Sequence, residues 1–148
     1  MYSVEELDNA KTKILKYILY KKRTEQEIRN KFKALLSEEL LEDAIEYLKQ
    51  AGYIRDEEYI DRAVREFMAL RTLSLKEIKY KLLTKGVKQA LIEEYFEKQE
   101  ERMQEYEIQS AKKIVSKKES GMELNELRFY LLKKGYREEA IKQAIGEK

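Results

Sequence analysis

The chain has 148 residues, with no Pro, Cys or His, five Gly, 43% hydrophobic and 41% charged residues, and a net charge of +2. That balance excludes a disulfide framework, a thiol nucleophile, an imidazole base and an ordinary zinc site. It also excludes disorder, because enough apolar area exists to offset chain entropy.

Many strong helix formers with so few breakers predict an all-α protein. No apolar run reaches membrane-spanning length and no secretory signal is visible, so a cytoplasmic protein with no membrane contact is expected. None of the five glycines lies in a phosphate-cradling pattern. The acids read as solvated helix faces, so neither an enzyme nor a cofactor is expected.

Residues 1–9 read as a lead-in. Ile14, Leu15, Ile18 and Leu19 then form an apolar stripe of helical spacing, followed by Lys21-Lys22-Arg23. Thr24 with Glu27 is a capping box that starts a second helix burying Ile28 and Phe32. A third helix carries Leu40, Leu41, Ala44, Ile45 and Leu48 and stops at Gly52.

The same unit then recurs. Thr24-Glu25-Gln26-Glu27-Ile28 matches Ser74-Leu75-Lys76-Glu77-Ile78 and Glu123-Leu124-Asn125-Glu126-Leu127, with Glu-to-Glu offsets of 50 and 49. A period of that size is one supersecondary unit used three times. The predicted architecture is three tandem three-helix repeats, over 10–57, 58–106 and 107–148, forming an elongated, curved array.

In repeat two, Asp56 is a candidate cap for a first helix with Ile60, Ala63, Val64, Phe67 and Met68 on its apolar face. Ser74 with Glu77 is the second capping box. Lys85-Gly86-Val87 and Lys134-Gly135-Tyr136 end the second helices of repeats two and three, with Gly suited to a left-handed position. The third helices follow as Leu91, Ile92, Tyr95 and Phe96, and as Ala140, Ile141, Ala144 and Ile145. Residues 97–107 contain no Gly or Pro, which fits either a solvated turn or an unbroken helix. Ala111, Ile114 and Val115 belong to the first helix of repeat three.

Charge alternates in phase with the repeat. Residues 11–33 hold nine basic and two acidic groups, and 34–61 two and nine; 62–88 hold eight and two, and 89–107 two and seven. Stacked in order, the basic helices would form a stripe able to meet phosphates or an acidic protein surface. The acidic flank opposes tight nonspecific duplex binding. Of eleven tyrosines, Tyr47, Tyr95 and Tyr136 fall on apolar phases and read as core. Tyr20, Tyr59 and Tyr80 lie nearer the basic segments and are candidate contacts.

Leu131-Leu132-Lys133-Lys134-Gly135-Tyr136 followed by Ala140-Ile141 resembles RecX, the bacterial regulators of the RecA recombinase. So do Leu82-Leu83-Thr84-Lys85-Gly86-Val87 with Ile92, and Ala51-Gly52-Tyr53-Ile54-Arg55-Asp56 with Tyr59. The likeness runs from about Ala10 to Ile145, and its specificity lies in the order and spacing of the pieces. There are departures. Leu35-Leu36-Ser37 stands where the family carries Gly, Arg55-Asp56 where it carries Asp-Asp, Ser74 where it carries Gly, and Lys81-Leu82 where it carries Glu-Leu.

The resemblance implies a monomeric regulator that lodges in the groove of RecA filaments on single-stranded DNA. It implies inhibition of RecA ATPase, filament extension and strand exchange, with weak direct DNA binding. The contact residues expected are Lys21, Lys22, Arg23, Arg65, Arg71, Lys79, Lys112, Lys113, Lys117 and Lys118. Arg71 matches an Arg the family carries just before helix two of the middle repeat. A stand-alone helical nucleic-acid-binding regulator and a repeat-type protein scaffold remain the alternatives.

Overall fold

The computed structural model describes residues 1–146. They form α1 (Val4–Tyr20), α2 (Glu25–Phe32), α3 (Glu38–Gln50), α4 (Asp56–Ala69), α5 (Leu75–Thr84), α6 (Gln89–Lys98), α7 (Glu100–Lys118), α8 (Leu124–Lys134) and α9 (Glu138–Ile145). No strand occurs among the described residues.

Hydroxyl side chains start three of these helices in one way. Ser3, Thr24 and Ser74 each accept from the amide three residues on, and Glu6, Glu27 and Glu77 reach back to the cap amide. Each box satisfies two of the amides that a helix start leaves without partners. Because Ser3 caps α1, residues 4–9 of the expected lead-in are helical.

Each trio of helices closes its own core. Ile14, Ile28, Phe32, Ala44, Ile45 and Leu48 fill the first. Val64, Ile78, Leu82, Ile92 and Phe96 fill the second, and Ala111, Ile114, Leu127, Leu131 and Ile141 the third. Each fully buried Ile or Leu contributes roughly 1.5–3 kcal/mol.

The stretch 97–107 resolves into a one-residue break and an unbroken helix. Gln99 leaves helical geometry at φ −108 and ψ 22, and α7 starts at the next residue. The first part of α7 puts Met103 and Tyr106 into the second core, and its later turns put Ala111 and Ile114 into the third. The seam between those repeats therefore runs inside a helix.

Three details differ from the apolar pattern. Leu19 is 75% exposed, while Tyr17 and Ile18 of the same turn pack against the first core. Tyr47 is 53% exposed rather than core, and its ring lies under the Lys11 ammonium at 3.7 Å. Asp56 does not cap α4, where Arg55 holds the cap position without a side-chain bond. Its carboxylate instead accepts from the Glu25 amide at 3.0 Å, serving the start of α2.

The repeats join through one motif used twice. The Thr24 hydroxyl, fully buried, donates to the Lys85 carbonyl at 2.7 Å, and Ser74 donates to the Lys134 carbonyl at 2.9 Å. Gly86 (φ +90) and Gly135 (φ +111) follow those carbonyls. A Cβ at Gly86 would lie 2.8 Å from Gln26 Cγ and closer still to its Cβ; one at Gly135 would lie 2.8 Å from Lys76 Cβ. Glycine is thus demanded there by close approach as well as by left-handed backbone. The end of α8 abuts the start of α5, and the end of α5 abuts the start of α2, so the three second helices stand in file.

The turn at Leu35-Leu36-Ser37 carries no Gly, and Ser37 caps α3 there. Glu123 is exposed and makes no cap bond.

Candidate protein and nucleic-acid interface

α4 carries the candidate surface between two basic clusters. Its 14 residues span about 21 Å at the α-helical rise. The first cluster lies where the end of α1 meets the start of α4. There Lys21, Lys22, Arg23, Arg55 and Arg62, with Tyr20, Tyr53 and Tyr59, line a surface hollow of about 470 Å³.

One acid sits in that hollow. Glu58 bridges Arg55 at 3.1 Å and Lys22 at 3.4 Å. Its hydrogen bond to Arg55, then that to Lys22, holds its carboxyl below the usual range. Burial pushes the Tyr59 hydroxyl up. A second hollow beside it brings Lys85 of the α5 terminus to Lys21, Lys22 and Arg62.

Arg23 is the least free of the group. Its guanidinium lies over the Tyr17 ring at 4.4 Å, and its Nε is buried without a partner. That placement makes it a wall of the first repeat. Lys21 is exposed and has no ion pair among the described residues.

The second cluster forms at the other end of α4. Arg71 has φ +56, an uncommon conformation for a residue with a side chain. The turn is clamped by α7. Ser110 donates to the Arg71 carbonyl at 2.9 Å, Tyr106 to the Leu73 carbonyl at 2.7 Å, and Lys113 to the Leu70 carbonyl at 3.3 Å. Ser110 Oγ also lies 2.5 Å from the Tyr136 hydroxyl. With its one proton given to Arg71, Ser110 accepts from Tyr136. Burial pushes the Tyr136 hydroxyl up, well above its ordinary value.

The clamp leaves the Arg71 side chain exposed and without an ion pair among the described residues. Lys112 and Lys117 are likewise exposed and unpaired there. Lys118 lies 4.8 Å over the Tyr130 ring.

Two predicted contacts point elsewhere. Lys79 pairs with Glu93 of α6 at 3.3 Å and lies over the Phe96 ring at 4.9 Å, which turns it to the acidic side of its own repeat. Arg65 lies between the two clusters on α4 but is paired with Asp61 at 3.0 Å. Such exposed pairs contribute at most about 1 kcal/mol, so a partner's anion can replace the internal acid.

Sequence reading missed Arg55, Arg62 and Lys85 in the first cluster, and Ser110 and Glu107 in the support. Glu107 is 2% exposed and accepts from the Arg137 amide at 3.0 Å and from its Nε at 2.8 Å. A Ser and a Glu on the apolar phase of α7 were the available signal. Among the described residues no group of three His, Cys, Asp or Glu could hold a metal ion, and no helix is long and apolar enough to cross a membrane.

No family model matches the chain. Curated relatives do. A regulatory protein RecX of Caldanaerobacter subterraneus is 32% identical over 143 residues, covering 95% of this chain and 71% of the relative. One of Clostridium beijerinckii is 30% identical over 148 residues, covering 95% and 68%. One of Staphylococcus carnosus is 30% identical over 135 residues, covering 88% of this chain and 51% of the relative, so the chain spans about half of that protein's length. The crystal structure of RecX from Lactobacillus salivarius matches the fold with a TM-score of 0.81 at 23% identity, covering 97% of both chains.

Proposed function

This chain belongs to the RecX family of regulatory proteins, and from that membership we propose that it binds RecA filaments on single-stranded DNA and inhibits their ATPase, extension and strand exchange. In this reading it acts as a cytoplasmic monomer, without cofactor or catalysis, and three consecutive units over 10–57, 58–106 and 107–148 lay one surface along the filament.

The observation that carries the reading is the pair of basic clusters at the ends of α4. Lys21 and Lys22 serve one, and Arg71, Lys112, Lys113 and Lys117 the other. A filament offers both phosphates and protein along a groove, and two cationic sites set about 21 Å apart by one helix can engage it at two points. Exposed, unpaired guanidinium and ammonium groups are free to meet phosphate or carboxylate. Lys22, Lys113, Arg65, Lys79, Arg23 and Lys118 already hold internal partners, which an arriving anion must replace.

The test is titration of the protein into RecA on single-stranded DNA while ATP hydrolysis is followed. Inhibition far below stoichiometric amounts fits capping of growing ends, and inhibition near stoichiometry fits groove coating. No inhibition of a RecA from a related source overturns the proposal. Salt-sensitive DNA binding without any effect on RecA would install the stand-alone nucleic-acid reading in its place.

A further inference from the structure

The file of second helices exposes one side to solvent, and the same apolar pair recurs on it. On each second helix, one flank faces the first helix of the repeat, as Lys31 lies over Tyr17 and Lys81 over Phe67. The other flank faces the third helix, as Arg29 meets Glu42 and Lys79 meets Glu93. Between the flanks, pointing outward, are Tyr80 and Leu83 on α5 and Phe129 and Leu132 on α8.

These are matched positions one repeat apart, and their exposures match as well. Tyr80 and Phe129 are each 67% exposed, and Leu83 and Leu132 each 43%. A lone exposed Leu means nothing, but a repeated aromatic–aliphatic pair on aligned helices is a patch with a period. Asn30 and Lys33 take these positions in repeat one, so the patch covers the second and third repeats only.

Its surroundings are predominantly basic. Lys31, Lys33, Lys76, Lys81, Lys85 and Lys133 are exposed on the second helices and the turns that follow them, against one exposed carboxylate of those helices, Glu126 of α8. We propose that this face is a second docking surface, for an acidic protein surface that presents an apolar patch at each of two sites one repeat apart. The leucines decide between macromolecules. A single-stranded nucleic acid could stack on Tyr80 and Phe129 but has no use for Leu83 and Leu132, which lack a π face. Aromatic anchors with aliphatic neighbours and a lysine rim are the anatomy of a protein interface, and the lysines set the partner's sign.

The inference rests on the proposed function, because a partner that offers the same patch twice is supplied by neighbouring subunits of the RecA filament. It is tested with the full chain and the variant Tyr80→Ser/Phe129→Ser, folding being checked by thermal unfolding. Retention on RecA filaments assembled on poly(dT) is measured beside anisotropy with a labelled dT oligonucleotide alone. The variant is expected to lose retention roughly tenfold or more, as anchor residues do, and to keep its oligonucleotide affinity. The variant Lys33→Glu/Lys133→Glu, which leaves the rings intact, is expected to lose retention as well.

Wild-type retention by the ring variant overturns this inference alone. A parallel loss on the bare oligonucleotide assigns the rings to base stacking and overturns protein docking. A wild type that does not bind the filaments overturns the proposed function and this inference with it.

Discussion

The Thr24 hydroxyl donates to the Lys85 carbonyl at 2.7 Å while accepting from the Glu27 amide at 3.0 Å. One side chain thus caps its own helix and fastens the next repeat to it. Ser74 repeats the arrangement on Lys134 and Glu77, which makes the joint a property of the repeat. The conformation of Gly86 belongs to the same contact. Gly86→Ala is expected to destabilise by about 2 kcal/mol or more, about half from the left-handed backbone and the rest from overlap with Gln26. Gly146→Ala, with the same sign of φ but nothing within 4 Å, is expected to cost about 1 kcal/mol. Chemical denaturation of both variants measures the difference; equal losses would remove the close-approach argument.

The third repeat lacks a hydroxyl at its cap. Glu123 holds the position without a side-chain bond, three residues before Glu126. Glu123→Ser completes the box and is expected to stabilise by roughly 0.5–1 kcal/mol. Thr24→Val, which removes both the cap and the hydroxyl bonded to the Lys85 carbonyl, is expected to destabilise by about 2 kcal/mol. Thermal unfolding of the two variants should move in opposite directions.

Much of this was legible in the residues, and the reason is local. Capping boxes, glycine stops and apolar periodicity depend on spacings within one helix, so Thr24, Ser74, Gly86 and Gly135 declared themselves. What could not be read involves groups distant in sequence. Asp56 looks like a cap for α4, yet the neighbouring repeat places the Glu25 amide at its carboxylate. Tyr47 lies on an apolar phase, but its ring stays exposed and sits under Lys11 of α1. The basic blocks are visible in the sequence, while the partner of each cation depends on which helix faces it. Lys79 therefore turned to Glu93, whereas Arg71, in a clamped turn, stayed unpaired.

Arg71 poses stability against contact. Its φ of +56 costs about 1 kcal/mol for a residue with a Cβ. Arg71→Gly is expected to raise thermal stability slightly and to weaken inhibition of RecA. A variant that is less stable would assign the side chain a role in folding, and unchanged inhibition would remove it from the contact set. Charge reversal at Lys22 and Arg71 together is expected to weaken inhibition further without unfolding the chain, whereas reversal at Arg23, packed over Tyr17, is expected to cost stability as well.

The first repeat carries an acid-sensitive network. Arg29 reaches Glu42 at 2.6 Å and Glu25 at 3.1 Å, and Lys49 reaches Glu25 at 3.0 Å. Burial raises the Glu25 carboxyl, but its bonds to Lys49 and Arg29 prevail and leave it below its ordinary 4.5; Arg29 likewise lowers Glu42. A carboxyl lowered by folding adds stability above its unfolded value and loses it as pH falls through the folded one. Thermal stability is therefore expected to be flat above the ordinary carboxylate range and to fall below it. Arg29→Met should flatten that fall. Asp56, raised by burial, works in the opposite sense and reduces the slope.

Glu58 occupies the first basic hollow as an internal counter-anion, held between Arg55 and Lys22. A phosphate or carboxylate arriving there must displace it, so the carboxylate sets an affinity penalty on the site. Glu58→Gln keeps the volume and removes the charge. Because the pairs are half-exposed, they contribute little to folding, and the variant's thermal stability is expected to stay close to that of the wild type. Binding to the filament is expected to tighten several-fold. The salt dependence of binding should steepen by about one counterion if the freed cations meet a phosphate. If they meet a protein carboxylate, tightening should come with little change in binding to bare DNA. An unchanged affinity for both would place the contact away from this hollow, leaving the Arg71 end of α4 as the anchor.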